Sequence, residues 1–196
     1  MAKLSSHLRT FLEHLEIERG RSAMTIRNYE FYLKRFIDWA KDPDPTKITQ
    51  DMIHKYRLYL NRLENRENGT LRKSTQNYHL IALRSFLKFL QKRDIPTFSP
   101  DKIELARQGS REVSFLDADD LRRLLEMPDQ EDAQPLIRAR DKAVLELFFS
   151  TGMRVSELSA LQREHLNLKR DELSIRGKGD KVRVVFLSER SRNALK

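Results

Sequence analysis

The chain has 196 residues, of which 39% are hydrophobic, and it carries a formal net charge of +9. This length and hydrophobic content suffice to bury the core of one large or two small domains. Cysteine is absent, which excludes disulfides and thiolate ligands, and the five histidines are too scattered for a metal cluster, so we predict no metal. No stretch approaches the roughly 18 apolar residues of a membrane span, and the N-terminal residues lack the apolar core of a secretory signal. We therefore expect a cytoplasmic protein without a membrane partner.

The positive charge is concentrated in the first half of the chain. Residues 1–95 hold 19 Lys and Arg against 11 Asp and Glu, a net charge of +8, whereas residues 96–196 hold 19 against 18, a net charge of +1. A basic domain favours a polyanion partner, most simply nucleic acid, because side chains that neutralise phosphates release bound counterions. The alternative, which charge alone leaves open, is a surface that only keeps the protein in solution.

Apolar residues at helical spacing predict four helices in residues 1–95. The predicted limits are residues 4–19, a second helix from a Ser22 or Thr25 cap to the Asp42–Pro45 stretch, a third from a Thr49 cap to Leu63, and a fourth from Ser74 to Lys92. The polar run 64–69 between the last two predicts an exposed loop.

The fourth predicted helix carries a narrow polar strip beside its broad apolar face. Lys73, Asn77, Arg84 and Lys88 follow one another at intervals of four, seven and four residues, which places them on one side of the helix. Lys and Arg suit phosphates and Asn can reach a base edge, so the strip is typical of a helix that lies along DNA. A solvated polar face would have the same pattern. On the apolar side we expect Tyr78 and Ile81 among the buried residues.

The second half begins after an aperiodic stretch, residues 96–112, which predicts a linker between two domains, 1–95 and 113–196. Asp117 can cap a following helix, and Pro135 can stand near the start of a long one. Beyond residue 161 the apolar residues alternate, which predicts short strands at 165–168, 172–176 and 182–187, and Ser188 can cap a last helix. The fold class we predict is mainly α with a small β-sheet.

The turn Ser150 to Leu158 interrupts an apolar helix with a glycine and places Arg154 beside a packed core, where it needs an anionic partner. Gly177-Lys-Gly-Asp-Lys181 predicts a tight hairpin loop with Lys178 at its tip. Both cations could point at one phosphate, stabilising charge that develops there and supplying a proton to a leaving oxygen. The alternative is that Arg154 only pairs with Glu157 and Lys178 is an exposed lysine.

The sequence Thr151 to Leu158, followed by 177–181 and an alternating strand, resembles the tyrosine recombinase, or phage integrase, family, in particular its Xer-like members. Arg140-Asp-Lys142 before the turn fits the same pattern, as does the basic four-helix region with Thr25 and Ser74-Thr75. The resemblance covers the whole chain. It implies an N-terminal SAM-like core-binding domain, with Thr25 and Arg27 among its DNA contacts, followed by the N-terminal part of an α+β catalytic domain.

The resemblance also implies an activity: site-specific recombination of duplex DNA through a 3′-phosphotyrosyl intermediate, without metal or nucleotide cofactor. Arg154 matches the catalytic arginine that holds the non-bridging phosphate oxygens, and Lys178 matches the hairpin lysine that protonates the leaving 5′-oxygen. Glu157 matches a supporting carboxylate, and Lys181 could contact the backbone. Members of the family work as tetramers on two duplexes.

The family further requires His-x-x-Arg and a nucleophilic tyrosine after the hairpin, whereas the last histidine here is His165 and the last tyrosine is Tyr78. We therefore expect a truncated recombinase that binds DNA but neither cuts nor rejoins it. The alternative is that the chain is a stand-alone DNA-binding accessory or regulatory module. We also expect uncovered apolar side chains in the second domain at Val184, Phe186 and Leu195.

Overall fold

The computed structural model describes residues 3–65, 69–109, 113–177, 179 and 181–196, and divides the chain into two compact units, Met1–Arg111 and Glu112–Lys196. Each unit has its own cluster of buried apolar side chains. Helices dominate both, and the described strands form two-stranded antiparallel sheets. The predicted fold class, mainly α with a small β-sheet, is confirmed. In the described part of the chain, the helices are too short or too polar to cross a membrane.

The first unit is built from four helices, α1 (Leu4–Ile17), α2 (Ala23–Trp39), α3 (Gln50–Arg62) and α4 (Lys73–Gln91). Two predicted caps form: the Ser22 hydroxyl accepts from the Thr25 amide at 3.4 Å, and the Thr49 hydroxyl accepts from the Met52 amide at 3.2 Å. Where a loop was predicted, the short strands β1 (Glu64–Asn65) and β2 (Gly69–Thr70) pair. The core places aromatic rings from all four helices together, including Phe11, Phe36, Tyr56 and Phe86.

The stretch predicted as a linker lies largely on the first unit. Ile103 is fully buried in its core, and Phe98 and Leu105 pack against it. The Thr97 hydroxyl also donates to the Pro45 carbonyl at 3.2 Å. An aperiodic sequence therefore still supplies enough apolar side chains to cover part of α4, because packing onto a formed surface needs no helical period.

This covering changes which face of α4 is exposed. Asn77 is only 4% exposed, since its amide group exchanges two hydrogen bonds of 2.9 Å with the backbone of Ala106. Tyr78 and Ile81, predicted in the core, are 55% and 39% exposed. The prediction was wrong at these three positions because the segment after the helix occupies the strip beside Asn77 and leaves the Tyr78 side open.

The second unit contains helices α5 (Ala118–Gln130), α6 (Pro135–Thr151), α7 (Val155–Ser159) and α8 (Glu189–Ala194), and strands β3 (Glu172–Arg176) and β4 (Val182–Phe186). Asp117 and Ser188 cap α5 and α8 as predicted, accepting from the Asp120 and Ser191 amides at 2.8 and 3.1 Å. The strand predicted at 165–168 is wrong. Residues Arg163–His165 form a 3-10 turn closed by the Leu166 amide on the Arg163 carbonyl, so the alternation there has no strand partner.

Strands β3 and β4 pair in an antiparallel register in which Leu173 faces Val185 and Ile175 faces Arg183. One face of this sheet is buried with Leu147 and Met153. On the other face Val184 and Phe186 are exposed, as predicted, whereas Leu195 is partly buried against the core.

Asn77→Ala should lower the free energy of unfolding of the first unit by roughly 1–3 kcal/mol, because the change leaves the Ala106 amide and carbonyl without partners. Urea unfolding followed by the fluorescence of Trp39, the single tryptophan, reports on this unit specifically. Lys73→Ala, an exposed change one turn earlier on α4, should stay within about 0.5 kcal/mol of the parent. Equal stabilities for the two variants would contradict a structural role for Asn77.

Candidate functional site

The turn that carries Arg154 is fixed by the residues on either side of it. Gly152 ends α6 in the left-handed conformation, with φ of 59°, and its amide donates to the Phe148 carbonyl at 2.9 Å. Met153 then enters the core of the second unit, at 5% exposure. Arg154 follows in extended conformation as the residue that caps α7. A left-handed residue and a buried anchor therefore set the direction in which Arg154 leaves the fold.

Glu157 is the buried centre of the site, with a side chain that is 5% exposed. Its carboxylate accepts four hydrogen bonds, two from Arg154 and two from Arg183 on β4. Oε2 accepts from the Arg154 amide and Arg183 Nη2, both at 2.8 Å, and Oε1 accepts from Arg183 Nη1 at 2.8 Å and Arg154 Nη1 at 2.9 Å. The bond to the Arg154 amide is one half of a capping box. The carboxylate thus ties the arginine turn to the hairpin.

These bonds set the charge state of the cluster. The hydrogen bonds from Arg183, followed by the bond from the Arg154 amide, lower the pKa of Glu157 from 4.5 to about 2. The same contact with Glu157 raises the pKa of Arg183. The carboxylate is therefore ionised at neutral pH, and the three side chains together carry one net positive charge.

Arg154 lies on the surface, with a side chain that is 65% exposed, whereas the sequence suggested a buried or half-buried arginine. The charge that is buried is that of Glu157, which Arg154 covers from outside. The sequence left open the alternative that Arg154 only pairs with Glu157. That pairing is present, and it consists of a single hydrogen bond between the two side chains. Among the described residues, the Arg154 side chain donates only to Glu157, so it can still offer N–H groups to an anion.

The neck of the hairpin closes directly over this cluster. The Gly177 amide donates to the Lys181 carbonyl at 2.8 Å, and Lys181 is exposed. A Cβ on Gly177 would lie 3.0 Å from Glu157 Oε1 and 3.1 Å from Arg183 Nη1, closer than ordinary packing. A larger residue here would therefore require the Glu157 or Arg183 side chain to shift by a few tenths of an ångström. Lys178, the predicted hairpin lysine, lies outside the described residues, so its role stays a prediction.

The predicted DNA-contact residues of the first unit are only partly displayed together. Lys73, Lys88 and Arg27 are exposed, Arg84 is half-buried, and Thr25 is half-buried with its hydroxyl 3.0 Å from that of Ser22. Asn77 cannot read a base edge, because its amide is buried and bonded to Ala106.

Two residues were not identified from the sequence as members of these sites. Tyr78 lies on the exposed face of α4, where its ring stacks on that of Tyr32 with centroids 6.3 Å apart. A signal was present, since Tyr78, Ile81, Ser85 and Lys88 are spaced by three, four and three residues along one helix face. Arg183 is the second, and strand alternation alone could place it opposite Ile175 but could not pair it with Glu157.

Comparison with known families matches both units. Residues 8–94 match the family described as phage integrase, N-terminal SAM-like domain, and residues 114–196 match the phage integrase family. The two matches together cover most of the chain and leave out residues 1–7 and 95–113.

Individual relatives agree with these matches. Tyrosine recombinase XerC of Thermodesulfovibrio yellowstonii is 32% identical over 197 residues, which cover 100% of this chain and 62% of that protein. XerC of Xanthomonas campestris is 35% identical over 192 residues, covering 97% of this chain and 58% of the relative. The chain thus spans about three fifths of the length of the curated relatives it matches.

A solved structure shares the architecture. The integrase of transposon Tn1549, in complex with transposon right end DNA, superimposes with a TM-score of 0.70 at 14% identity, covering 98% of this chain and 63% of that one. At this identity the likeness establishes the fold.

The pKa of Glu157 predicts a dependence of the site on pH. A folded-state pKa of about 2, below the ordinary 4.5, means that the ionised carboxylate stabilises the fold fully above about pH 4.5 and progressively less as the pH falls toward 2. The ¹³C chemical shift of the Glu157 carboxyl carbon should titrate with a midpoint at about pH 2. In Arg183→Gln the midpoint should move up, toward the ordinary value, because the largest cause of the shift is gone. An unchanged midpoint would contradict the pairing.

Gly177→Ala tests the close approach at the hairpin neck. The added methyl group meets a carboxylate held by four hydrogen bonds, so we expect a loss of roughly 1–3 kcal/mol in the free energy of unfolding of the second unit, as in other overpacked sites. Thermal unfolding followed by far-UV circular dichroism measures it. Gly109→Ala, at a glycine of the first unit with open space around it, is the control for the general effect of replacing glycine by alanine. An unchanged free energy of unfolding in Gly177→Ala would show that the hairpin neck accommodates the methyl group.

Proposed function

The chain belongs to the phage integrase family of tyrosine recombinases, and from this premise we propose that it binds duplex DNA through its first unit and holds one DNA phosphate at Arg154. The observation that carries the proposal is the Arg154–Glu157–Arg183 cluster. It presents an exposed guanidinium on a buried, fully bonded carboxylate, with one net positive charge.

This geometry suits the stabilisation of charge on a phosphodiester. A guanidinium can donate two parallel N–H bonds to the non-bridging oxygens of a phosphate. Arg154 stands on a rigid turn, so its position costs little reorganisation when charge develops during strand transfer. In this proposal Lys181 contacts the neighbouring backbone, and Lys178 protonates the leaving oxygen, in accordance with their positions in the hairpin sequence.

The first unit supplies most of the affinity in this proposal. Its excess of positive charge attracts the duplex. Lys73 and Lys88 are exposed and lie 15 residues apart on α4, which corresponds to roughly 22 Å along the helix. At that separation the two lysines can contact different phosphates of a duplex. In this proposal the exposed face of α4 that carries Tyr78 and Lys88 meets the duplex, rather than the covered strip of Asn77.

Strand cleavage is the part of the family activity that we do not assign to these 196 residues by themselves. They contain no tyrosine after Tyr78 and no histidine after His165, so neither a tyrosine nucleophile nor a His-x-x-Arg motif follows the hairpin within them. We propose that these residues bind DNA and position a phosphate, as one part of a recombinase site.

Lys88→Ala should weaken binding to a fluorescein-labelled 30-base-pair duplex and reduce the slope of log Kd against log salt by about 0.9, the loss expected for one phosphate contact. Fluorescence anisotropy between low and moderate salt measures both. Lys55→Ala is the control, because this exposed lysine on α3 is already paired with Asp51 at 2.7 Å. Absence of binding by the parent chain would overturn the proposed function, and equal slopes for the two variants would overturn the role of α4.

A further inference from the structure

We propose that Arg183 is a positioning residue for Arg154, which it leaves available for phosphate by saturating the Glu157 carboxylate. The inference rests on the proposed function, since it explains how Arg154 can bind an anion while it sits beside a buried glutamate. Without Arg183, the same glutamate would compete with the phosphate for Arg154.

The two arginines do not bind the carboxylate in the same way. Arg183 makes two parallel bonds of 2.8 Å, one to each oxygen, which is the strong fork arrangement of a guanidinium and a carboxylate. The Arg154 side chain makes one bond of 2.9 Å, to Oε1 alone. Their exposures differ accordingly, 37% for the Arg183 side chain against 65% for that of Arg154. Arg183 is thus the structural partner of Glu157, and Arg154 is the one that faces solvent.

Charge gives the physical reason for this division. Two guanidinium groups and one carboxylate leave one net positive charge, whereas Arg154 and Glu157 alone would leave none. A buried carboxylate needs a partner, so in the absence of Arg183 the remaining guanidinium would be drawn into the fork position. Arg154 would then be neutralised and turned away from the anion.

Arg183 is well placed to do this because it stands on a strand. It pairs in register with Ile175, which is buried in the core of the second unit, and the Gly177 neck closes over its guanidinium. A side chain on a paired strand is held more accurately than one on a loop. The arginine turn is therefore aligned by a residue that need not touch the DNA.

The test compares Arg183→Gln with Glu157→Gln/Arg183→Gln, read by NMR at Arg154. An unlabelled 20-base-pair duplex is added to the ¹⁵N-labelled chain while the Nε–Hε signal of Arg154 and the backbone amides of α4 are followed. In the parent, both should shift. In Arg183→Gln, the amides of α4 should still shift, but the shift at Arg154 should be lost. In Glu157→Gln/Arg183→Gln, which has no carboxylate to compete, the shift at Arg154 should return.

Each other result counts against a stated claim. If Arg154 does not shift in the parent although α4 does, the phosphate role in the proposed function fails. If the Arg154 signal shifts in both the parent and Arg183→Gln, Arg183 does not position Arg154. If the double variant stays as impaired as Arg183→Gln, competition from the Glu157 carboxylate does not explain the loss, and the inference is overturned.

A conservative variant protects the test against simple unfolding. Arg183→Lys keeps the charge beside Glu157 and loses the fork, so it should retain the Arg154 shift if neutralising the carboxylate is the role of Arg183. Circular dichroism shows whether Arg183→Gln is folded. If that variant is unfolded, a loss of the Arg154 shift in folded Arg183→Lys overturns the inference.

Discussion

The Glu157 carboxylate holds together parts of the second unit that are distant in sequence. It receives the backbone amide that begins α7, the guanidinium of Arg154 and the fork of Arg183 from β4, and Gly177 leaves just enough room above it. Burying an ionised carboxylate to this extent would be energetically unfavourable with a single hydrogen-bond donor. Several donors compensate for the lost hydration. The arginine turn and the hairpin are therefore held to each other by the same ionised group.

In the first unit, packing determines which side chains of α4 are exposed. Ile103 and the Ala106 backbone occupy one side of α4, and this contact determines that Tyr78 and Lys88 form the open face while Asn77 is buried. The basic composition of the unit attracts a polyanion whatever the arrangement of its side chains. The segment that contains Ile103 and Ala106 covers one side of α4. It therefore determines which side chains of the unit can contact a polyanion.

Local signals in the sequence predicted what depends on neighbouring residues. The Ser22, Thr49, Asp117 and Ser188 caps, the helices that they begin and the two strands of the hairpin were all identified from spacing. The incorrect predictions concern residues whose surroundings are set by contacts that are distant in sequence. Asn77 meets Ala106, 29 residues away, and Glu157 meets Arg183, 26 residues away. Helical period places a residue on a face but does not say what covers that face, so neither the burial of Asn77 nor the exposure of Arg154 could be predicted.

The cluster is complete within residues 152–183, because the turn, the carboxylate and both guanidinium groups all lie there. A phosphate held by Arg154 would therefore meet a preorganised cation irrespective of how a nucleophile is supplied. Stabilising the charge on a phosphodiester and attacking it are separate requirements, and electrostatic preorganisation contributes to the first without covalent chemistry. Preorganisation of this kind needs only the internal ion pairs of the fold, which Arg154, Glu157 and Arg183 already form.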